Sequence, residues 1–258
     1  MKGVFNVYSI TNYERPSVAV DAVVFGINSE FTNKRTLDSK KMQVLLVKRG
    51  ESPFKGEYSL PGGFLRPGET TEQAISRELE EETGVVNSKL VNLSVYSAPN
   101  RDPRGWVISC AYLSLGRTTS LSTKEDSDAE LSMWFDFSYT TSGQTETITL
   151  STNNIEIVIS AKDGEITCSD LAFDHAQIIY DAYKKLQIET KQNDIIFNLL
   201  PEFFTISDVQ TIYETIMNKK ESAPNFRRKL LPKIIETDKY EEAVAHRNSK
   251  LYKSKEGE

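Results

Sequence analysis

The chain has little of what many protein sites are built from: two cysteines and two histidines among 258 residues. Cys110 and Cys168 stand alone, without C-x-x-C spacing, which excludes a dense disulfide framework and fits a reducing, cytoplasmic setting. No stretch approaches the roughly eighteen uninterrupted apolar residues of a membrane helix, and the first twenty residues lack a signal-peptide pattern. A membrane span is therefore not expected. No fixed-period repeat is present, which excludes a solenoid or propeller.

A net charge of -6 argues against a chain that coats nucleic acid along its whole length, because such binding rests on Lys and Arg neutralising phosphates. The charge is unevenly spread. From Lys191 to the end, twelve basic residues face eleven acidic ones, so the C-terminal part is at +1 and the preceding part holds the whole excess of negative charge, at -7. With 38% hydrophobic and 26% charged residues, the composition is that of a globular protein, and the length allows two cores.

Ser17 to Phe25 and Met42 to Lys48 are short runs rich in Val and Leu, as strands of a partly buried sheet should be, and Asn28 to Lys41 reads as a polar loop between them. After the Gly- and Pro-rich stretch Pro53 to Gly68, a helical pattern runs from Thr70 to Thr83. Thr70 and Gln73 match a capping box, and Gly84 suits the left-handed position that ends a helix. Leu90 to Tyr96 and Trp106 to Leu115 read as strands joined by the turn Pro99 to Gly105. Arg117 to Glu130 reads as a loop. Leu131 to Thr167 reads as hairpins, with Lys162-Asp163-Gly164 as one turn. Strands on both sides of a helix indicate an α/β or α+β domain. From Leu171 the pattern becomes helical: Asp174 to Gln187, Asp194 to Leu199, Ile206 to Met217 and Ala223 to Leu230. Two domains are expected, 1–170 and 171–258, with the boundary near 170 to 190 and the first long helix bridging them. The last eighteen residues read as part hairpin, part frayed tail.

The decisive pattern is Gly63, five residues, Glu69, seven residues, then Arg77-Glu78-Leu79-Glu80-Glu81-Glu82-Thr83-Gly84-Val85. On a helix, Glu78, Glu81 and Glu82 share one face through i,i+3 and i,i+4 spacing, with Arg77 four residues from Glu81. Converging carboxylates repel, a divalent cation relieves the repulsion, and hard oxygen ligands without histidine favour Mg²⁺ or Mn²⁺ over zinc. A solvated acidic helix is the alternative meaning of a Glu-rich run. Against it, so many fixed residue types at set spacing arise by chance on the order of once in 10⁷ chains of this length. Both histidines lie beyond the acidic helix, so no Ser-His-Asp or Cys-His base is expected beside it. Glu125, Asp126 and Glu130 of the following loop are candidates for a general base, and the spacing does not choose among them.

This pattern resembles the signature of the Nudix hydrolases, and the resemblance covers at least Pro16 to Trp134. It implies an α/β/α sandwich with a mixed sheet and hydrolysis of a nucleoside diphosphate linked to another group. It also implies that Glu78, Glu81 and Glu82 bind Mg²⁺ or Mn²⁺, that Gly63 offers its carbonyl, and that Arg77 and Glu69 orient the acidic cluster. Arg101-Asp102-Pro103-Arg104-Gly105 lies where a loop would flank the site. Arg101 and Arg104 could fork onto phosphates and Asp102 could accept from a ribose hydroxyl or adenine amine, while a salt-bridged turn is the alternative. The run Ser97-Ala98-Pro99 through Gly105 is similar to ADP-ribose-handling Nudix proteins. The implied reaction splits ADP-ribose into AMP and ribose 5-phosphate.

In the C-terminal part, Phe203-Phe204-Thr205, the helix Ile206 to Met217, a turn, and Asn225-Phe226-Arg227-Arg228-Lys229-Leu230 have helix-turn-helix proportions. Asn225, Arg227, Arg228 and Lys229 could meet bases and phosphates, with Arg247 and Lys250 in a basic wing. A helical dimerisation or lid domain is the alternative. The run Leu171 to Ala176 and the segments just named resemble the winged-helix half of NrtR-type regulators. That family joins a Nudix domain to control of NAD-metabolism or sugar-utilisation genes, with ADP-ribose or a sugar phosphate as the signal. Operator DNA, a nucleotide-sugar ligand and a homodimer are the partners this implies. The strand-like residues 140–168 are longer than the family pattern. His175 reads as a core or capping histidine.

Overall fold

In the computed structural model, which describes residues 13–30, 39–86, 88–116, 132–240 and 249–255, most of the strands join one mixed sheet. β1 (Ser17–Glu30) and β2 (Ser39–Lys48) form an antiparallel pair, to which the short β3 (Tyr58–Ser59) and β4 (Gly62–Phe64) add along β2 and β1. Helix α1 (Thr71–Thr83) follows, and β5 (Lys89–Tyr96) leads into β6 (Val107–Leu115), which runs parallel to β1. β7 (Ser132–Ser142), β8 (Thr145–Ser151), β9 (Glu156–Lys162) and β10 (Glu165–Thr167) then meander outward from β2. The order across the sheet is β10-β9-β8-β7-β2-β1-β6-β5.

The apolar runs at the sheet's centre are nearly continuous because both faces are covered. Val20, Ala22 and Val24 of β1, with Leu45 and Tyr112, pack on Ala74, Ile75 and Leu79 of α1. The alternate residues Val23 and Phe25, with Val44, Leu46 and Leu113, pack on the opposite face against Ile178, Ile179, Ala182 and Tyr183 of α2 (His175–Gln192). That is an α/β/α sandwich, and α2 is its second helical layer. α2 also contacts α3 (Ile206–Met217), so it belongs to both halves of the chain.

The remaining elements are a 3-10 turn (Ile195–Leu199), α4 (Ala223–Leu230), a second 3-10 turn (Leu231–Lys233) and the ribbon β11 (Ile234–Tyr240) with β12 (Lys250–Ser254). Phe204 bridges to Tyr252, tying the lead into α3 to the ribbon. Helix, turn, helix and a two-stranded wing are the parts of a winged helix. α3 and α4 run as the sequence pattern indicates. Among the described residues no helix is long and apolar enough to cross a membrane.

Helix α1 begins where the capping box predicts. Thr70 accepts from the Gln73 amide, the Gln73 side chain accepts from the Thr70 amide, and Gly84 closes the helix in the left-handed region at φ 70°. Thr70→Ala leaves an amide of the first turn unpaired and should cost about 1 kcal/mol in a denaturant titration; no loss would mean that the cap is redundant.

One expectation is corrected. Asn28 to Lys41 is not loop throughout, because Asn28 pairs with Lys41 and Glu30 with Ser39. A ladder made of backbone groups does not require apolar side chains. The Gly- and Pro-rich stretch contains β3 and β4, where Gly63 pairs with Val20 of β1. The expected loop at Arg117 to Glu130, including Glu125, Asp126 and Glu130, lies outside the described residues, as does Arg247.

Candidate active site

A cleft of about 910 Å³ opens between the N-terminal end of α2, strand β4 and the acidic face of α1. Its position follows from local geometry. β4 lies so close to α1 that a Cβ on Gly63 would come within 2.3 Å of the Glu78 carboxylate, so only glycine leaves the Glu78 side chain in place. The neighbouring Gly62 amide donates to the Glu82 carboxylate at 3.0 Å.

Arg77 organises the acidic face. It grips both Glu69 oxygens, at 2.7 and 3.0 Å, and its Nη1 reaches Glu78 at 2.6 Å and Glu81 at 3.3 Å. Arg66 holds Glu81 from the other side at 3.2 Å. Hydrogen bonds from Arg77, and then from the Arg66 amide, lower the Glu69 carboxyl to about 2. Burial pushes the Glu82 carboxyl up to about 8, against the Gly62 amide, with the negative charges of Glu78 and Asp21 adding to the rise. Both effects favour the protonated, uncharged form of Glu82.

The sequence places three carboxylates on one face, and the structure does so. Among the described residues, however, they do not converge into a ready group of three metal ligands. Arg77 Nη1 stands between Glu78 and Glu81 as their counter-charge, while Glu82 turns to the Gly62 amide. The donor set still fits Mg²⁺ or Mn²⁺: carboxylate oxygens at one end of a polar cleft, beside the Gly63 backbone.

The loop between β5 and β6 departs from expectation. Arg101 is not a free fork for phosphate. Its side chain is 4% exposed, and Asp174 occupies its Nε at 2.8 Å and Nη2 at 2.6 Å, with Asp21 at 3.5 Å. Asp102 is likewise engaged, by Arg104 at 2.7 to 3.2 Å. The salt-bridged turn is thus what forms, because a buried guanidinium requires carboxylate partners. Arg104 alone of the three keeps its guanidinium partly open, with its side chain 43% exposed, over the Phe64 and Phe173 rings at 5.0 and 5.3 Å.

Several cleft residues escaped sequence reasoning. Arg49 lies over the Phe173 ring at 4.8 Å. Burial, followed by the neighbouring positive charge of Arg104, lowers the pKa of the Arg49 guanidinium. His175, distant from the acidic helix in sequence, lines the same cleft. Its Nδ1 accepts from the Leu60 amide at 2.9 Å and its Nε2 lies 3.5 Å from Asp21. His175 is thus a buried structural bridge, as its core reading anticipates. Burial would raise the Asp21 carboxyl, but His175, Ser109 and Arg101 outweigh it and hold it below the usual range. The only signal for these residues was Asp21 itself, a charge inside the apolar run of β1.

In the C-terminal part, α4 buries Phe226 and Leu230 and exposes Asn225, Arg227, Arg228 and Lys229. Lys229 is ion-paired with Glu221. Lys250, in the wing, is paired with Glu236.

A NUDIX domain model matches residues 36–146, and the model of an NrtR DNA-binding winged helix domain matches residues 196–254. The crystal structure of a MutT/nudix family protein from Enterococcus faecalis is similar to this chain at 31% identity and a TM-score of 0.75, covering 94% of this chain and 88% of that one. The ADPR responsive transcriptional repressor NtrR of Acinetobacter baylyi is 25% identical over 249 residues, which are 95% of this chain and 85% of the repressor. An ADP-ribose pyrophosphatase of Methanocaldococcus jannaschii is 44% identical over 101 residues, or 39% of this chain and 52% of that enzyme.

Proposed function

Because the chain belongs to the MutT/Nudix family and carries an NrtR-type winged helix domain behind its Nudix domain, we propose that it hydrolyses ADP-ribose to AMP and ribose 5-phosphate and binds operator DNA. The observation that carries the hydrolytic reading is the intact acidic face: Arg77 holding Glu69, Glu78 and Glu81 at the cleft beside Gly63. The names of the two relatives that handle ADP-ribose support the choice of substrate.

In this reading Glu78, Glu81, Glu82 and the Gly63 carbonyl would hold Mg²⁺ or Mn²⁺, which would supply Lewis-acid polarisation of the diphosphate and a lowered pKa of the attacking water. Arg77 and Glu69 act as positioning residues, keeping the α1 carboxylates aimed at the cleft. Arg49 and Arg104, fixed against Phe173, offer guanidinium donors to phosphate oxygens, and the Phe64 and Phe173 rings give a base or sugar an apolar surface. Asp102 orients Arg104. Water adds across one P–O–P linkage, one phosphorus gaining the new oxygen and the other keeping the bridging one.

We place the division between the units after α2, because this helix is a layer of the sandwich, with residues 196–254 forming the DNA-binding unit. A homodimer would present two copies of α4 to a palindromic site. A second reading, in which the cleft senses ADP-ribose with little turnover, is favoured by the similarity to the repressor over 95% of the chain.

The test is a product analysis. Protein incubated with ADP-ribose and Mg²⁺ should yield AMP and ribose 5-phosphate in equal amounts, and a chelator should stop it. Preferred cleavage of an oxidised nucleoside triphosphate would reject ADP-ribose as the substrate.

A further inference from the structure

The DNA-binding half contains a second cavity, of about 290 Å³, that shares no residue with the cleft. It lies where the end of α2, the 3-10 turn, α3 and α4 meet, so its walls are the packing surfaces of the helix-turn-helix. The inner wall is apolar, with the rings of Phe197, Tyr213 and Phe226 lining it. Ring-lined walls favour a flat partner in stacked or edge-on contact.

Two polar features set this cavity apart from a packing defect. Thr190, 6% exposed, lines it, and its Oγ1 finds no hydrogen-bond partner among the described residues. A buried hydroxyl without a partner is costly; the oxygen is closed off from the cavity as it stands, and a turn about χ1 would bring it to a ligand oxygen that relieves it. The second feature is charge. Lys191, Lys229 and Lys233 line the pocket; Lys233 is paired with Asp194 and Lys229 with Glu221. Lys191, an exposed residue at the cavity, has no acidic partner among the described residues, so one positive charge is left over.

We propose that this cavity binds a small planar monocarboxylate, its ring among Phe197, Tyr213 and Phe226 and its carboxylate taking hydrogen bonds from Lys191 and the Thr190 hydroxyl. One net positive charge matches one carboxylate. The volume lies at the small end of ligand pockets, which suits a single ring. The occupant would wedge between α3 and α4, the helix that displays Arg227 and Arg228. The site is thus a second effector site, independent of the chemistry of the cleft.

The experiment uses the full chain labelled at Ile, Leu and Val methyls and titrated with sodium benzoate, without metal, DNA or nucleotide. Saturable shifts are expected at Ile196, Val209 and Leu230, with half-saturation below about 1 mM. Neutral benzamide should bind about tenfold more weakly, and Lys191→Gln should weaken benzoate by a similar factor, because a hydrogen bond to a charged partner is lost. Thr190→Val, nearly isosteric, should weaken it as well. Absence of saturable shifts, shifts confined to methyls of the cleft, or equal affinity for benzamide would overturn the proposal. Since no step of hydrolysis or DNA binding is read, failure here is distinguishable from failure of the proposed function.

Discussion

Glu81→Gln should lower ADP-ribose turnover by about 10³-fold while the protein stays folded, since losing one anionic metal ligand removes several kcal/mol of charge stabilisation. Glu81 is the most informative of the three carboxylates. Its side chain is 49% exposed, on the open side of α1, so glutamine keeps the shape and the helix. What is lost structurally is its ion pairing with Arg77 and Arg66, worth about 0.3 to 0.5 kcal/mol for an exposed helix pair. Parallel steady-state rates and thermal melts separate the two effects. A large fall in kcat with an unchanged melt supports the assignment, and unchanged turnover removes Glu81 from the site.

The second large effect is expected in the other half. Arg227→Ala combined with Arg228→Ala should weaken DNA binding by about 10- to 100-fold and reduce the salt slope by about two units, one for each phosphate no longer neutralised. Both arginines lie on the exposed side of α4, opposite Phe226 and Leu230, and neither has an acidic partner among the described residues. Removing them therefore leaves the core intact. Lys229 is a poorer choice, because Glu221 already neutralises it. Binding measured by fluorescence anisotropy over a range of salt checks this. Equal affinity and slope would leave the winged helix as a structural or dimerisation unit.

How far the sequence carried depended on whether the information was local. Helix α1 was legible to its caps, because Thr70, Gln73 and Gly84 act within a few residues of one another. The centres of β1, β2 and β6 were legible as apolar runs, and α3 and α4 as helical patterns. The role of Arg101 was not legible, because its partner Asp174 is 73 residues away and only the fold joins them. His175 entered the cleft for the same reason: the N-terminal end of α2 returns to Leu60, in the link between β3 and β4, a contact across 115 residues. Spacing also overstated the convergence of the carboxylates. A shared helix face places side chains side by side, but Arg77 and the Gly62 amide decide where the oxygens finally point.

A Nudix domain and an NrtR-type winged helix domain are joined in one chain. The direct test adds ADP-ribose and Mg²⁺ to protein bound to a fluorescent duplex selected from random sequence, recording AMP release and DNA anisotropy together. A hydrolase should accumulate AMP over many turnovers per chain, and any ADP-ribose-induced change in anisotropy should fade as the substrate is consumed. A change that persists, with no AMP formed, would contradict hydrolysis and identify the cleft as a sensor.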